Sequence, residues 1–457
     1  MKKLKSGIAA AAVALTCVTG TTLAKADGEP EPRSHSGTLP SGASWIADVP
    51  RRWNGTVILY SHGYGELVAQ NAPDDETGAR LLDEGYALVG SSYSGPSRWV
   101  LEHAVDDQFG SLAALEDEIG PPRRTIAWGV SMGGLVSALE AQEPRGRVDG
   151  ALTTCGIVAG ALNLNNVQLD GEHALARLLL PGQGVRLVGH ETPEQAEATA
   201  RTLRTATAEA QKTPQGRARI ALAAALMNLP VWSPDEAAPP APGDHTARQE
   251  QQYRILVDGR FAQFADGRRQ TELAAGGNGS FNAGVDYRAL LNGSVHADLV
   301  RHLYRRAGLD LAEDLAALTR DARVRAHPRA ARHLARTSMA TGRLAVPVLN
   351  LHTTADPIAP VENQNWYARK VAEAGSTRLL RQAYVRGGGH CAFEPAETIA
   401  ALHALEHRLD TGRWDDAASP SRLNTAAAAR GGTPRYTRFT APRLTGALGE
   451  PGRTRDR

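Results

Sequence analysis

Short apolar runs alternate with segments of helical spacing in two separate regions of the chain. In the first region, residues 41–155, runs such as 55–60 and 124–128 have the length and composition of buried strands. The alternation returns with the run 346–351 and continues to about residue 409. Strands that alternate with helices predict an α/β fold with a doubly wound, mostly parallel sheet.

The stretch between these two regions, residues 159–343, is almost entirely helical in pattern. Apolar positions recur at helical spacing in segments such as 193–211 and 246–273. This insertion leaves from the carboxyl edge of a strand, and parallel sheets bind their ligands at that edge. We therefore expect a large helical cap, inserted between two core strands, to lie over the ligand-binding edge.

The two ends of the chain differ from this folded part. Residues 1–26 combine a basic start, an apolar stretch and the small-residue site Ala24-Lys25-Ala26, which is typical of a secretion signal. After residue 414 the chain is rich in Ala, Gly, Pro, Thr and Arg and lacks apolar periodicity. The expected parts are a signal peptide cleaved near Ala26, a first core part, the cap, a second core part and a basic flexible tail. Their bounds are 1–26, 27–158, 159–343, 344–414 and 415–457.

The charge distribution narrows the range of partners. The formal net charge is +2, but four lysines lie in the first 26 residues and the last 41 residues carry a net +6, which leaves the middle of the chain at −8. An acidic globule with a short basic tail is a poor nucleic-acid binder. Beyond the signal, no segment has the roughly 18 apolar residues of a spanning helix, so no stable membrane insertion is expected. The sequence makes no prediction of oligomeric state.

The motif Gly129-Val130-Ser131-Met132-Gly133 lies directly between a strand run and a helical run. A sharp strand-turn-helix of this kind pushes the serine hydroxyl out at the sheet edge, and the flanking glycines remove the side chains that would prevent the turn. The positive end of the following helix also faces any negative charge that develops there. Ser131 is therefore the candidate nucleophile.

A serine nucleophile needs a base, and the base needs an orienting acid. Asp356 follows the strand run 346–351, and His390 follows the run 379–385, so both lie just beyond strand ends on the same edge as Ser131. The chain order Ser, Asp, His is that of hydrolases with this turn. The sequence thus predicts a catalytic triad that acts through an acyl-enzyme.

Two backbone N–H groups are expected to bind the oxyanion. One belongs to Met132, the residue after the nucleophile, and the other to Tyr64, which stands between two glycines after a strand run. His62 is interpreted as a structural residue of that turn. Tyr93 and Trp99 adjoin segments at the active edge and are candidate substrate-binding residues, with a core position as the alternative. The histidines lack metal-ligand spacing, and neither a metal nor an organic cofactor is implied.

These motifs resemble those of the α/β-hydrolase superfamily of serine hydrolases. The pieces 90–95, 127–131, 351–356 and 389–391 are similar to secreted hydrolases of high-GC Gram-positive, actinobacterial bacteria, and the Arg-rich, Lys-poor composition agrees. The resemblance covers the sheet parts of residues 41–414. It implies Ser131 as nucleophile, Asp356 as acid and His390 as base.

Two cysteines remain once the signal peptide is removed. Cys155 ends a strand after the nucleophile helix, and Cys391 directly follows His390. In an exported protein such a pair indicates one disulfide, with two free buried thiols as the alternative. A Cys155–Cys391 bond would hold the histidine loop in place.

The substrate class is less constrained by the sequence than the mechanism is. A carboxylic ester, small or polymeric, is the first expectation because esters are the easiest acyl compounds to cleave. A secreted serine peptidase of the prolyl- or tripeptidyl-aminopeptidase type is the alternative, and acidic residues of the cap that bind a substrate amino group would favour it. A non-catalytic binding protein on a hydrolase scaffold is the third hypothesis, and the intact Ser, Asp and His argue against it.

Overall fold

A computed structural model describes residues 32–453 of the 457-residue chain. The predicted signal peptide and its cleavage site near Ala26 lie outside these residues. Among residues 32–453, no helix is both long enough and apolar enough to cross a membrane.

The strands of the described part form one mixed sheet. They are β1 (Arg33–Thr38), β2 (Ser44–Val49), β3 (Thr56–Ser61), β4 (Ala87–Ser91), β5 (Arg124–Val130), β6 (Gly150–Thr154), β7 (Val348–Ala355), β8 (Leu380–Gly388) and β9 (Tyr436–Thr437). Their order is β1-β2-β4-β3-β5-β6-β7-β8-β9. Strands β3 to β8 are parallel, and β1, β2 and β9 pair antiparallel at the two sides. The predicted mostly parallel sheet is confirmed.

Helices cover both faces of this sheet. The helices are α1 (Asp75–Asp83), α2 (Ala104–Ile119), α3 (Met132–Gln142), α4 (Gly160–Leu179), α5 (Pro193–Ala210), α6 (Pro214–Leu226), α7 (His245–Ile255), α8 (Phe261–Ala275), α9 (Tyr287–Gly293), α10 (Ala297–Ala307), α11 (Leu311–Asp321), α12 (Pro328–Thr337), α13 (Glu362–Glu373), α14 (Pro395–Thr411) and α15 (Pro420–Ala428). Every residue of β3 is buried. Val57 and Leu59 enter a core shared with α2, α3 and α13, whereas Ile58 and Tyr60 enter a core shared with α1, α14 and α15. This alternation is typical of a doubly wound sheet.

Helices α4 to α12 lie in the chain between β6 and β7, which confirms a helical cap inserted between two core strands. Most of them share a separate apolar core. The single helix expected over residues 246–273 is instead two helices, α7 and α8, joined by a π-helical turn. The break occurs because Asp258 and Gly259 leave helical geometry, and Gly259 adopts a φ of 77° that favours glycine.

The flexible tail predicted from residue 415 onward is wrong for residues 415–453. Helix α15 packs in the same core as α14, and β9 pairs with β8. Leu444 is buried in the core on the opposite face of the sheet. Arg453 is fully buried and forms an ion pair with Asp170 of α4. Composition was misleading here because individual side-chain contacts, rather than a repeated apolar pattern, hold this segment.

Candidate active site

Ser131 stands in the turn between β5 and α3. Its φ of 59° and ψ of −117° lie outside the regions that residues with side chains ordinarily adopt. Two glycines make this turn possible. A Cβ on Gly129 would lie 1.8 Å from the carbonyl oxygen of Gly133, and a Cβ on Gly133 would lie 1.9 Å from that of Ser61. The turn therefore holds the serine at the carboxyl edge of the sheet, in a strained conformation of the kind that clusters at functional sites.

His390 joins Ser131 to Asp356 through two hydrogen bonds. The Nε2 atom of His390 is 2.8 Å from Ser131 Oγ, and its Nδ1 atom is 2.7 Å from Asp356 Oδ2. The other carboxylate oxygen, Oδ1, accepts the backbone N–H groups of Ile358 and Ala359. Because the acceptor at Nδ1 is a carboxylate, Nδ1 carries the proton and Nε2 is free to accept the serine proton. The structure thus brings together the three residues that the chain order singled out.

The predicted disulfide joins Cys155, which directly follows β6, to Cys391. Because Cys391 is the next residue after His390, the bond ties the histidine loop to a neighbouring strand end. In the part of the chain that the structure describes, Cys155, His390 and Cys391 are the one group of three or more His, Cys, Asp or Glu side chains close enough to share an ion. Both sulfurs of this group are in the disulfide, so the group offers no thiolate ligand.

Gly63 lies against the serine from the β3 side. A Cβ on Gly63 would be 3.4 Å from the Cβ of Ser131 and 3.9 Å from its Oγ. The turn that contains Gly63 and Tyr64 therefore faces the serine hydroxyl. Met132 is the first residue of α3, where a backbone N–H has no acceptor within the helix. Both residues lie beside Ser131, and their roles as oxyanion donors stay a prediction.

Two aromatic residues expected at the substrate pocket lie in the core instead. Tyr93 is 1% exposed, donates its hydroxyl to the carbonyl of His62 at 3.0 Å and stacks on the His62 ring. Trp99 is 4% exposed, and its Nε1 donates to Ser338 Oγ at 3.0 Å. Their polar atoms are satisfied inside the protein, so these positions are those of structural residues rather than of ligand contacts. Burial also lowers the pKa of His62, which keeps its imidazole neutral beneath the turn.

The cap reaches the site through Asp266 of α8. Its Oδ2 atom accepts a hydrogen bond from the Tyr64 hydroxyl at 2.7 Å, and both of its carboxylate oxygens are 2.9 Å from Nη2 of Arg98. Asp266 is therefore already paired and is not a free acid for a substrate amino group. Sequence reasoning missed both Arg98 and Asp266. Arg98 follows a strand at the active edge, which was a weak signal, and nothing in the helical spacing around Asp266 marks it.

The geometry allows one kind of chemistry directly. A serine hydroxyl bonded to an imidazole, which in turn bonds to a buried carboxylate, can attack a carbonyl carbon while the imidazole takes the hydroxyl proton. The side chain of His390 is 18% exposed and Ser131 is 9% exposed, so both residues retain contact with the outside. The arrangement is that of an acyl-transfer site.

Comparison with known proteins finds a relative whose sequence is similar over most of this chain. The chain is 31% identical over 419 residues to the o-phthalyl amidase of Xanthobacter agilis, and the match spans 86% of this chain and 90% of that one. No family model matches the chain.

Solved structures with a similar fold are much more distant in sequence. They include an acylaminoacyl peptidase in complex with a chloromethyl ketone, at 10% identity over 90% of this chain and 43% of that one with a TM-score of 0.36. A variant of the rice cell wall degrading esterase LipA from Xanthomonas oryzae has 12% identity over 83% and 89%, with a TM-score of 0.37. Feruloyl esterase B from Aspergillus oryzae has 14% identity over 83% and 80%, with a TM-score of 0.37.

Proposed function

We propose an amidase function, since the chain belongs to the family of the o-phthalyl amidase of Xanthobacter agilis. It is a hydrolase of the α/β-hydrolase superfamily. The observation that carries the proposal is the hydrogen-bonded chain from Ser131 through His390 to Asp356. The bond to be cleaved is an amide, and the o-phthalyl group in the relative's name is the first acyl group to test.

In the proposed reaction Ser131 Oγ attacks the amide carbonyl carbon. His390 Nε2 takes the hydroxyl proton, and Asp356 stabilises the imidazolium through Nδ1–H. The N–H groups of Met132 and Tyr64 bind the oxyanion, and the positive end of α3 adds to this stabilisation. His390 then returns the proton to the amide nitrogen, so that an amine leaves and an acyl-enzyme remains. Water, activated by the same imidazole, releases the acid.

This acyl-enzyme is common to the proposed amide substrates and to the two substrate classes considered from the sequence, esters and peptides. An amine is a poor leaving group unless it is protonated, so amide cleavage depends on proton donation by His390. An alkoxide leaves more readily, and carboxylic esters therefore stay within the proposal as more reactive substrates of the same site. The aminopeptidase alternative is less favoured, because Asp266, the cap acid that contacts Tyr64, is already paired with Arg98.

Export of the protein is a further part of the proposal. Residues 1–26 have the pattern of a secretion signal, and the Cys155–Cys391 bond is of the kind that persists in oxidising compartments. Mature protein that begins at Asp27, isolated from the culture medium of the producing cells, would support this part of the proposal.

The first experiment compares the wild-type protein with Ser131→Ala and Ser137→Ala. Ser137 is a matched control, because it is a buried serine of α3, six residues after Ser131, and within residues 32–453 its hydroxyl donates to the carbonyl of Gly134 and to no other group. The substrates are an o-phthalyl amide, the corresponding ester and an aminoacyl anilide. Loss of the nucleophile typically lowers kcat by about 10⁶-fold in serine hydrolases, so only Ser131→Ala should lose turnover of the phthalyl amide.

The substrate series distinguishes an amidase from an esterase and from a peptidase. Turnover of the o-phthalyl amide that depends on Ser131 supports the amidase proposal, and trapping of a phthalyl group on Ser131, seen by mass spectrometry, would identify the intermediate. Cleavage of the ester alone would make the protein an esterase, and rapid cleavage of the anilide alone would make it a peptidase. Full activity in Ser131→Ala would contradict the whole mechanism.

A further inference from the structure

A cavity of about 380 Å³ lies beside the acid of the triad rather than beside its serine. Asp356 is in its wall, and neither Ser131 nor His390 is. The remaining walls come from cap residues 228–239 and 295–296, from β7 and β8, from residues 361–362 at the start of α13 and from the C-terminal segment 437–442. The volume is within the range of about 300–1,000 Å³ that is usual for small-molecule sites.

Two arginines give this cavity positive charge. Arg386 and Arg438 are both exposed, and within residues 32–453 neither guanidinium has a hydrogen bond or an ion pair. The guanidinium carbon of Arg386 lies 5.2 Å from the centroid of the Trp232 ring, which holds the side chain on the cavity wall. Unpaired guanidinium groups in a cavity favour an anion, and their planar fork matches a carboxylate.

The acidic and basic groups that share the walls do not cancel this charge. Asp356 is almost fully buried, and its carboxylate is engaged by His390 and by two backbone N–H groups. Burial raises the pKa of Glu362 to about 8 and lowers that of His296 to about 4, so both are mainly neutral at pH 7. The two arginines therefore set the charge of the cavity.

The rest of the lining is mostly apolar and partly aromatic. Trp232 and Phe439 contribute ring surface, and three prolines and three valines contribute aliphatic surface. Val295 is 54% exposed and is one of few large apolar side chains so exposed in the described residues. An apolar lining with two unpaired cations matches a ligand that is hydrophobic at one end and anionic at the other.

We propose that this cavity binds a small aromatic carboxylate. The carboxylate is held by Arg386 and Arg438, and the ring packs on Trp232 and Phe439. The site is separate from the nucleophile, so the inference does not depend on which acyl bond Ser131 cleaves. The aromatic acid can be the product of the enzyme's own reaction or an acid from another source, since both present the same ring and carboxylate.

Calorimetric titration of the full chain with benzoate and with phthalate tests this site. Binding is expected to be saturable for at least one of the two acids, and Arg386→Gln should weaken it by about tenfold or more. Arg51→Gln is the matched control, since Arg51 is also an exposed arginine but precedes β3, at the amino edge of the sheet. Arg386→Lys, which keeps the charge and loses the fork, should fall between these two variants.

Two further arms separate this cavity from the catalytic site. Covalent modification of Ser131 with phenylmethanesulfonyl fluoride should leave aromatic-acid binding intact. Benzyl alcohol, which lacks the carboxylate, and acetate, which lacks the ring, should each bind more weakly than benzoate. The inference would be overturned if neither benzoate nor phthalate showed saturable binding. Binding that is abolished by the modification of Ser131 and unchanged in Arg386→Gln would overturn it as well, because the acid would then occupy the catalytic site.

Discussion

The carboxyl edge of the sheet and the C-terminal segment, residues 415–453, are built in different ways. At the edge, each candidate catalytic residue lies within two residues of a strand end: Ser131 directly follows β5, Asp356 directly follows β7 and His390 lies two residues beyond β8. The C-terminal segment contains one helix of nine residues and a strand of two. Its other anchors are single contacts, such as that of Arg453 with Asp170.

This difference explains which of the two regions the sequence describes well. A strand repeats a local pattern over several residues, so the position of its last residue is visible in the sequence. An ion pair such as that of Arg435 with Glu397, or the paired hydrogen bonds between Asn424 and Tyr436, leaves no periodic trace. Folded structure without periodicity is therefore easily mistaken for a flexible tail.

The largest expected effect tests how firmly the C-terminal segment is held. Arg453→Met removes the buried partner of Asp170, which is itself fully buried and, within residues 32–453, accepts one other side-chain hydrogen bond, from Tyr287. Breaking a buried ion pair on one side typically costs about 3–5 kcal/mol, so the free energy of unfolding should fall by about that amount. Denaturant titration followed by tryptophan fluorescence would measure it.

Two variants check the interpretation of that result. Arg443→Met removes an exposed guanidinium 3.7 Å from Glu450, which keeps Arg369 as a partner, so little change is expected. Adding Asp170→Asn to Arg453→Met removes the uncompensated charge and should recover part of the lost stability. Wild-type stability in Arg453→Met would mean that the segment is as loosely attached as its composition suggests.

The sheet could be predicted from the sequence, and so could Ser131, its two catalytic partners and the disulfide, because the position of each depends on where a strand ends. The sequence does not predict the contact between Asp266 and Tyr64, which are 202 residues apart in the chain. Nor does it reveal the unpaired Arg386, because pairing is a property of the folded neighbourhood. Tyr93 and Trp99 were placed at the correct edge, but their depth depends on packing that no local pattern encodes.

The next largest effect concerns the pH dependence of stability and a buried acid on α3, the helix that begins directly after Ser131. Glu140 is fully buried, and neither of its carboxylate oxygens has a hydrogen-bond partner in the described part of the chain. Burial raises its pKa to about 8 from the ordinary value of 4.5. The unfolded chain therefore releases this proton at a lower pH than the folded protein does, and stability falls as pH rises from about 4.5 to 8.

Glu140→Gln should remove this pH dependence. Between pH 6 and pH 8 the wild-type protein should lose about 2 kcal/mol more unfolding free energy than the variant. Denaturant titrations of both proteins at the two pH values measure the difference, and the contribution of Glu362, whose pKa is also raised by burial, cancels between them. A difference that does not change with pH would show that Glu140 is ionised in the folded protein.

The smallest expected effect is on kcat and concerns the contact between the cap and the turn beside Ser131. Tyr64→Phe removes the hydroxyl that donates to Asp266 and so loosens the turn beside Ser131. Burial and the neighbouring carboxylate raise the pKa of Tyr64, so this hydroxyl stays protonated and remains a donor across the working pH range. One such hydrogen bond contributes about 1 kcal/mol, which corresponds to a loss of about fivefold in kcat if the turn positions an oxyanion donor.

The division between kcat and KM decides whether the cap acts on the reaction through Tyr64. A donor that is strengthened only in the transition state lowers kcat and leaves KM nearly unchanged when it is displaced. Asp266→Asn should therefore reproduce the kcat loss of Tyr64→Phe. Tyr253→Phe should not, because Tyr253 is a half-buried cap tyrosine of the neighbouring helix α7 rather than of the turn beside Ser131. If both Tyr64→Phe and Asp266→Asn raise KM alone, the contact affects substrate binding. The turn that contains Gly63 and Tyr64 would then be positioned for oxyanion binding independently of the cap.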